Sequence, residues 1–507
     1  MDTKGISDSD HGTKTVDSGD GVMETEYEHY CRMSESFSGE RLNALVRKID
    51  LHVLPQLVLV YLLAYIDRSN AGNAKLFGTL KDLNINGQQW NTSLSVFFIT
   101  YALGGVPSNI MLKRVGPRFW LPTLLIACGV SVICAGCQST YGGWIAFRLI
   151  LGFVEAGIYP GCTFILTAWY SPKELHTRMT VFYSAASIAG AFSGLLAYGI
   201  GHLDYTWGYR GWRWIYVLEG LLAVVVGAVS FFWICPTPAR VEGWLSDEEK
   251  EYLMLRNKYA AGGETGIKEK EDFSLGDVKK AFRSIHTYSV ALIEFTVATV
   301  VYGISFVLPG IVNSLGYSNI KAQAMTAPPY VFACIVTILS GVAADRYRQR
   351  ALAIALPNTM AVIGFVIIIA SIRSTDIPGV TYFGIFLMAG GLYPVSPGVM
   401  AWVALNMAGS MKRAAGIGLM MSIAQLGGIL GSNIFLADEA PTYPTGFGLC
   451  LAMLTVFGVV WTGIYYLILN KINRKRASMS VEEVMDKYTP EELTEMGDES
   501  PLFRYSL

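Results

Sequence analysis

Twelve apolar runs, each close to the ~20 residues a helix needs to cross a bilayer, set the terms for any fold of this chain. They fall near residues 51–69, 92–112, 119–138, 144–170, 179–202, 213–234, 288–311, 327–344, 351–372, 380–406, 414–437 and 446–469. Hydrocarbon offers no water to unpaired backbone groups, so runs of this length predict spanning helices. Composition agrees: 52% of the 507 residues are hydrophobic and 16% are charged, against about 25% charged in a soluble chain. A net charge of −1 gives no case for nucleic-acid binding. The fold class expected is an all-α membrane protein with twelve transmembrane helices, held in a lipid bilayer.

The runs split six and six around one long polar segment. Residues 1–50, rich in Ser, Asp, Glu and Gly, read as a disordered tail. A first bundle is expected over 51–234, a linker over 235–287, a second bundle over 288–469 and a tail over 470–507. In the linker, Ser246 and Glu249 have the spacing of a capping box before a short amphipathic helix. The halves repeat each other. Ala156–Pro160 (AGIYP) matches Ala389–Pro394 (AGGLYP), with Tyr159 and Tyr393 offset by 234 residues. Ser187–Gly190 (SIAG) matches Ser422–Gln425 (SIAQ) at 235, and Asn109–Arg118 matches Gly341–Arg350 at 232. Parallel six-helix repeats imply two pseudo-symmetric bundles with a solute site between them at mid-membrane. With both tails cytoplasmic, the short inner loops carry ten Lys and Arg against six in the outer loops, the bias expected for that orientation.

Charges inside the runs mark the candidate chemistry. Arg148 and Glu155 sit seven residues apart in the fourth run, two turns apart on one face. A charge at the centre of a membrane helix costs about 2.5–3.5 kcal/mol, so that face turns toward protein or water. One reading makes Arg148 the grip for a carboxylate and Glu155 the proton carrier. The other makes them a static pair or a packing element. Arg68, at the end of YLLAYIDRSNAGNAK, shares a face with Tyr65 and Tyr61. It is either a second anion anchor or a residue that snorkels to the membrane interface. The second half has Ala389 where the first has Glu155, and offers neutral groups instead: Tyr302, Tyr330, Tyr393 and Gln425, with Glu294 the exception. Ala186, Gly190 and Gly194, and Gly427 with Gly431, have the spacing that lets helices approach closely. Pro328–Pro329 and Pro394…Pro397 are expected to break helices. Arg114, beside Lys113, and Arg346, beside Asp345, occupy equivalent inner loops, as a cytoplasmic gate or as simple topology signals. No HExxH, GxSxG or phosphate-binding loop occurs, so no enzyme, metal or cofactor is expected.

The loops Asn109–Arg118 and Gly341–Arg350, and Arg148, Gly152 and Ala156 in the fourth run, resemble the signatures of the major facilitator superfamily. Lys113 stands where that pattern has Asp, and Asn109 where it has Gly. More narrowly, YIDRSNAGNAK, VPSNIMLKRVGPRFWLP, RLILGFVEAGIYPG, GWRWIYVLEG and SPLFRYSL resemble the fungal allantoate permease group of the anion:cation symporter family. The resemblance implies the major facilitator fold and import of a small organic anion; relatives carry allantoate, nicotinate, pantothenate and dipeptides. Family members in vesicles and lysosomes use an arginine ending span one and an Arg/Glu pair in span four for substrate and proton. Arg68, Arg148 and Glu155 match those positions.

The function expected is therefore proton-coupled import of a carboxylate nutrient by alternating access, by a monomer in the plasma membrane. Arg68, Arg148, Tyr65, Tyr159, Tyr302, Tyr393 and Gln425 are the expected substrate site, and Glu155 the proton site. Efflux of a fungal metabolite, carriage across a vacuolar membrane, and a non-transporting nutrient receptor stand as alternatives.

Overall fold

The structure, a computed structural model, describes every residue except 1–14, 18–22, 236, 242, 260–274, 348, 374–376, 409, 490–491 and 494–495. Of the tail expected at 1–50, residues 1–14 and 18–22 thus lie outside the described residues. Two three-residue strands, Thr15–Asp17 and Met23–Thr25, pair antiparallel. Then α1 (Glu26–Ser36) and α2 (Gly39–Leu76) follow without a disordered stretch between them.

The 38 residues of α2 make a rod of about 57 Å, nearly twice the ~30 Å of bilayer hydrocarbon. Its first turns need no apolar run, because they dock on protein. Lys48 reaches Glu249 at 2.7 Å, Arg41 reaches Glu248 at 2.8 Å and Asp50 pairs with Arg178 at 2.9 Å. Beside them, Phe37 stacks on Tyr252 at 4.4 Å. The first bundle continues with α3 (Thr79–Asp82), α4 (Gly87–Val115), α5 (Pro117–Gly136), α6 (Tyr141–Glu155), α7 (Ile158–Trp169), α8 (Pro172–Ile200) and α9 (Gly211–Trp233). The linker holds α10 (Asp247–Tyr259) and α11 (Leu275–Arg283). The Ser246 and Glu249 capping box closes on α10 in both directions, at 2.8 and 3.2 Å.

The second bundle is α12 (Ile285–Ser314), α13 (Asn319–Tyr347), α14 (Arg350–Ser371), α15 (Pro378–Leu392), α16 (Val395–Asn406), α17 (Ser410–Ile434), α18 (Pro444–Met453) and α19 (Trp461–Ala477). A short π-helix joins the last two, and α20 (Val481–Lys487) lies in the tail. Among the described residues, eleven helices, with α6–α7, α15–α16 and α18–α19 each counted as one, are long and apolar enough to cross a membrane. The 29-residue α4 makes the twelfth.

The repeat is visible in how helices break. Span four is interrupted after Glu155 and span ten after Leu392, both at the AG-YP motif. Pro328 and Pro329, expected to break span eight, lie inside an uninterrupted α13. Pro329 has no N–H to give the carbonyl of Met325. The Tyr382 hydroxyl donates to that carbonyl instead, at 2.7 Å, so the helix runs on.

The halves meet along α8 against α13, α4 against α17 and α2 against α12. A Cβ on Gly194 of α8 would come within 2.6 Å of the Gln323 carbonyl of α13, so only glycine allows this approach. Toward the linker-bearing face, a Cβ on Gly341 of α13 would come within 2.6 Å of Thr180 of α8. Gly427 and Gly431 do a different job: they abut Phe295 and Thr299 of α12, inside the second bundle.

Candidate functional site

The polar centre of the molecule is built by one stretch of α2, Asp67 to Asn73, whose residues are all buried. Neighbours on a helix point about 100° apart, so adjacent side chains serve different partners. Asp67 turns into the first bundle and pairs with Arg148 of α6 at 3.2 Å. Arg148 also donates to the Tyr216 hydroxyl of α9 at 2.9 Å and lies 4.9 Å from the Trp144 ring centroid. Asn70 donates to Glu219 of α9 and accepts from Ser193 of α8 at 2.8 Å.

Arg68 turns the other way. Its Nε donates to Glu155 at 2.7 Å and its Nη2 lies 2.5 Å from the same carboxylate oxygen. Its Nη1 donates to the Tyr302 hydroxyl of α12, across the boundary between the halves. The Tyr302 hydroxyl in turn donates a hydrogen bond to Gln425 Oε1 of α17 at 3.1 Å. One guanidinium, 6% exposed, thus ties the broken span four to two helices of the opposite half. Its planar fork suits that task, and the Tyr101 ring lies 4.7 Å from its centre.

Arg68 lines a cavity of about 30 Å³ between the halves. Tyr61, Tyr65, Tyr101, Tyr159, Tyr183 and Tyr302 supply rings to its wall, and Glu294 and Ser396 stand on the side of the second bundle. An organic ring needs a space of order 150 Å³, so this is a closed state. Toward the linker-bearing face the halves are bridged where Thr177 of α8 donates to Asp345 of α13, and on the far face where Ser95 of α4 meets Ser432 of α17 at 2.8 Å.

Of the expected site residues, Arg68, Tyr65, Tyr159, Tyr302 and Gln425 share this cavity. Glu155 stands directly behind Arg68. Arg148 is elsewhere, within the first bundle, because Asp67 and Tyr216 draw it there. Tyr393 packs edge-on against Tyr330 at 5.9 Å and does not line the cavity. At the inner loops, Asp345 accepts from Thr177 and pairs with Arg350 at 3.0 Å, while Arg114 and Arg346 are exposed. The side chain of Lys113 lies outside the described ones. Among the described residues no group of His, Cys, Asp and Glu is placed to hold a metal ion.

Sequence reasoning passed over Asp67 and Glu219. The test that picked out Glu155, a charge inside an apolar run, applies equally to Glu219 in GWRWIYVLEG. Asp67 was legible as the neighbour of Arg68. Asp67, Glu155 and Glu219 together wall a second cavity of about 20 Å³ inside the first bundle.

Comparison with known proteins places this architecture. Residues 57–432 match the Major Facilitator Superfamily. An MFS-type transporter of Penicillium expansum, cnsO, is 43% identical over 95% of this chain and 94% of its own length. The high-affinity nicotinic acid transporter of Saccharomyces cerevisiae is 29% identical over 91% of this chain and 84% of its own. Among solved structures, the proton:xylose symporter XylE superposes with a TM-score of 0.62 at 16% identity, over 82% of this chain and 95% of that one. A bacterial homologue of the lysosomal transporter Spinster, inward-facing, gives 0.60 at 18% identity, with the same coverage of each chain. Two six-helix halves around a central polar cavity, and similarity along nearly the whole sequence, lead to one conclusion: the chain belongs to the major facilitator superfamily and is a transporter of that type.

Proposed function

We propose that this transporter imports a small organic anion together with a proton, as a member of the anion:cation symporter family close to the fungal allantoate permeases, in the plasma membrane. The observation that carries the reading is that Arg68 lines the cavity between the halves and is paired from behind by Glu155. A guanidinium balanced by a carboxylate gives an incoming anion little to gain. Once Glu155 takes up a proton, its claim on Arg68 weakens and the substrate carboxylate takes its place. Proton and anion then enter together, because the charge on Arg68 is matched when both are bound or when neither is, and unmatched with one alone. Arg68 also contacts Tyr302 of the other half, so exchanging its partner loosens or tightens the contact between halves. That links occupancy to alternating access. Arg148, matched by Asp67, has the place of a structural charge in this scheme.

The nicotinic acid transporter of yeast, similar along most of this chain, makes nicotinate the first compound to try. Labelled nicotinate, allantoate and pantothenate are to be offered to cells that lack their own carriers. Glu155→Gln, fixed in the uncharged state, is expected to abolish accumulation driven by a proton gradient and to retain exchange of labelled for unlabelled solute. Intact accumulation in that variant removes Glu155 from coupling.

A further inference from the structure

The cavity holds one acid with no cation to answer it. Glu294, on α12, is 5% exposed. Its Oε1 accepts from the Ser396 hydroxyl at 2.6 Å, and its Oε2 has no hydrogen-bond partner among the described residues. The residues around the cavity include two that carry formal charge, Arg68 and Glu294. Arg68 is already balanced by Glu155; among the described residues no cation pairs with Glu294. A carboxylate in a dry interior is costly unless paired, and a group serving only to hold helices together would be expected to use both oxygens.

We propose that the site takes an amphoteric ligand: a flat carboxylate with a basic or N–H-bearing nitrogen at its opposite end, the carboxylate on Arg68 and the nitrogen on Glu294. The proposal rests on the reading of Arg68 as the anion anchor. Tyr302, which receives Arg68, and Glu294 are eight residues apart on α12, about 12 Å of helical rise. Arg68 and Glu294 both face this one cavity, which opens to a ring-sized ligand when the halves part. Tyrosine rings line the space between: Tyr159 stands 5.4 Å from Tyr61 and 6.4 Å from Tyr183. Their faces attract a cationic nitrogen and accept a planar body. Ser396 fixes one oxygen of Glu294 and leaves the other for the ligand. Selectivity then arises because a plain carboxylate of the same shape would bury Glu294 unanswered.

The test uses two ligands of equal shape, 4-(aminomethyl)benzoate and 4-ethylbenzoate, with equilibrium binding measured on the purified full-length transporter. The wild type is expected to bind the amino acid at least about tenfold more tightly, the scale of one charge-assisted hydrogen bond. Glu294→Gln, which keeps the shape and can still accept from Ser396, is expected to bring the ratio close to one while retaining 4-ethylbenzoate. Arg68→Gln is expected to weaken both. The wild-type preference needs no variant, so poor folding of Glu294→Gln does not protect the idea. Equal binding of the two compounds, or a preference that survives Glu294→Gln, overturns the amphoteric ligand and leaves the carboxylate reading standing if Arg68→Gln still weakens both. Binding of neither compound, or no effect of Arg68→Gln, overturns both readings.

Discussion

Four charges lie buried side by side in the first half, and their pairing is crossed: Asp67 with Arg148, Arg68 with Glu155. Each pair is neutral, which is what lets it persist away from water; removing one member leaves a bare charge at a cost of about 3–5 kcal/mol. The two pairs differ in surroundings. Asp67–Arg148 is enclosed by one bundle, whereas Arg68 touches the other half. Arg148→Gln is therefore expected to lower thermal stability sharply, and Asp67→Asn added to it to restore much of the loss. A double-mutant cycle on purified protein checks this; two losses that simply add would mean the pair is not a unit. The same cycle on Arg68 and Glu155 is expected to register in transport, because in the proposed mechanism a substrate carboxylate competes for Arg68.

At the scale of elements, the parts outside the membrane are held by particular bonds. The Ser500–Leu507 segment, SPLFRYSL, lies as a strap over the linker-bearing face of the second bundle. The Ser506 carbonyl accepts from Trp402 at 2.9 Å and from Asn406 at 3.0 Å, and the Leu507 carbonyl accepts from the Arg350 amide at 2.6 Å. Tyr505 exchanges hydrogen bonds with Asn473 at 2.8 and 2.9 Å. Nearby, Lys412 and Asp498 form a buried pair at 2.7 Å. Arg350 also grips Asp345, which in turn receives Thr177 of the first half. Deleting residues 503–507 strips partners from Trp402, Asn406, Asn473 and Arg350, each loss costing about 1–3 kcal/mol where the group stays dry. The expected outcome is a lower melting temperature of the detergent-purified protein. An unchanged melt would show that water replaces the strap at no cost.

At the scale of the whole molecule, two rigid halves close on a space too small for a substrate ring, so transport requires them to separate. Close packing at glycines makes the closed state discrete, since a helix either fits or does not. Gly341→Leu puts a side chain where Thr180 lies, and is expected to prop the halves apart on the linker-bearing face. Uptake should then fall to background while the protein remains folded. Cysteine accessibility from that side should rise; accessibility equal to wild type would count against this contact as the closing surface. Much of this architecture was legible beforehand. Twelve runs, one long linker and three matched motifs pointed to paired six-helix bundles, and helix breaks at both AG-YP motifs follow the same offset. The long α2 was not legible, because residues 39–50 mix charged and apolar side chains with no continuous apolar run, and their charged groups find partners on α10 and α8. Nor was the continuity of α13, where a tyrosine from another span replaces the missing proline hydrogen bond.

Along the sequence alone, bilayer thickness and the cost of buried charge determined the class of the protein, its repeat and the short list of residues able to carry chemistry. Those constraints act on one helix at a time, so they are readable one run at a time. Which charge meets which was decided only in three dimensions. Asp67 and Arg68 are equivalent by spacing, yet a rotation of about 100° between them sends one into the bundle and the other to the boundary of the halves. Arg148 and Glu155 share a face two turns apart, yet Asp67 and Tyr216 hold the first within its bundle, while the second pairs with Arg68. A one-dimensional pattern records that a face is polar; the partner on that face comes from a helix tens or hundreds of residues away.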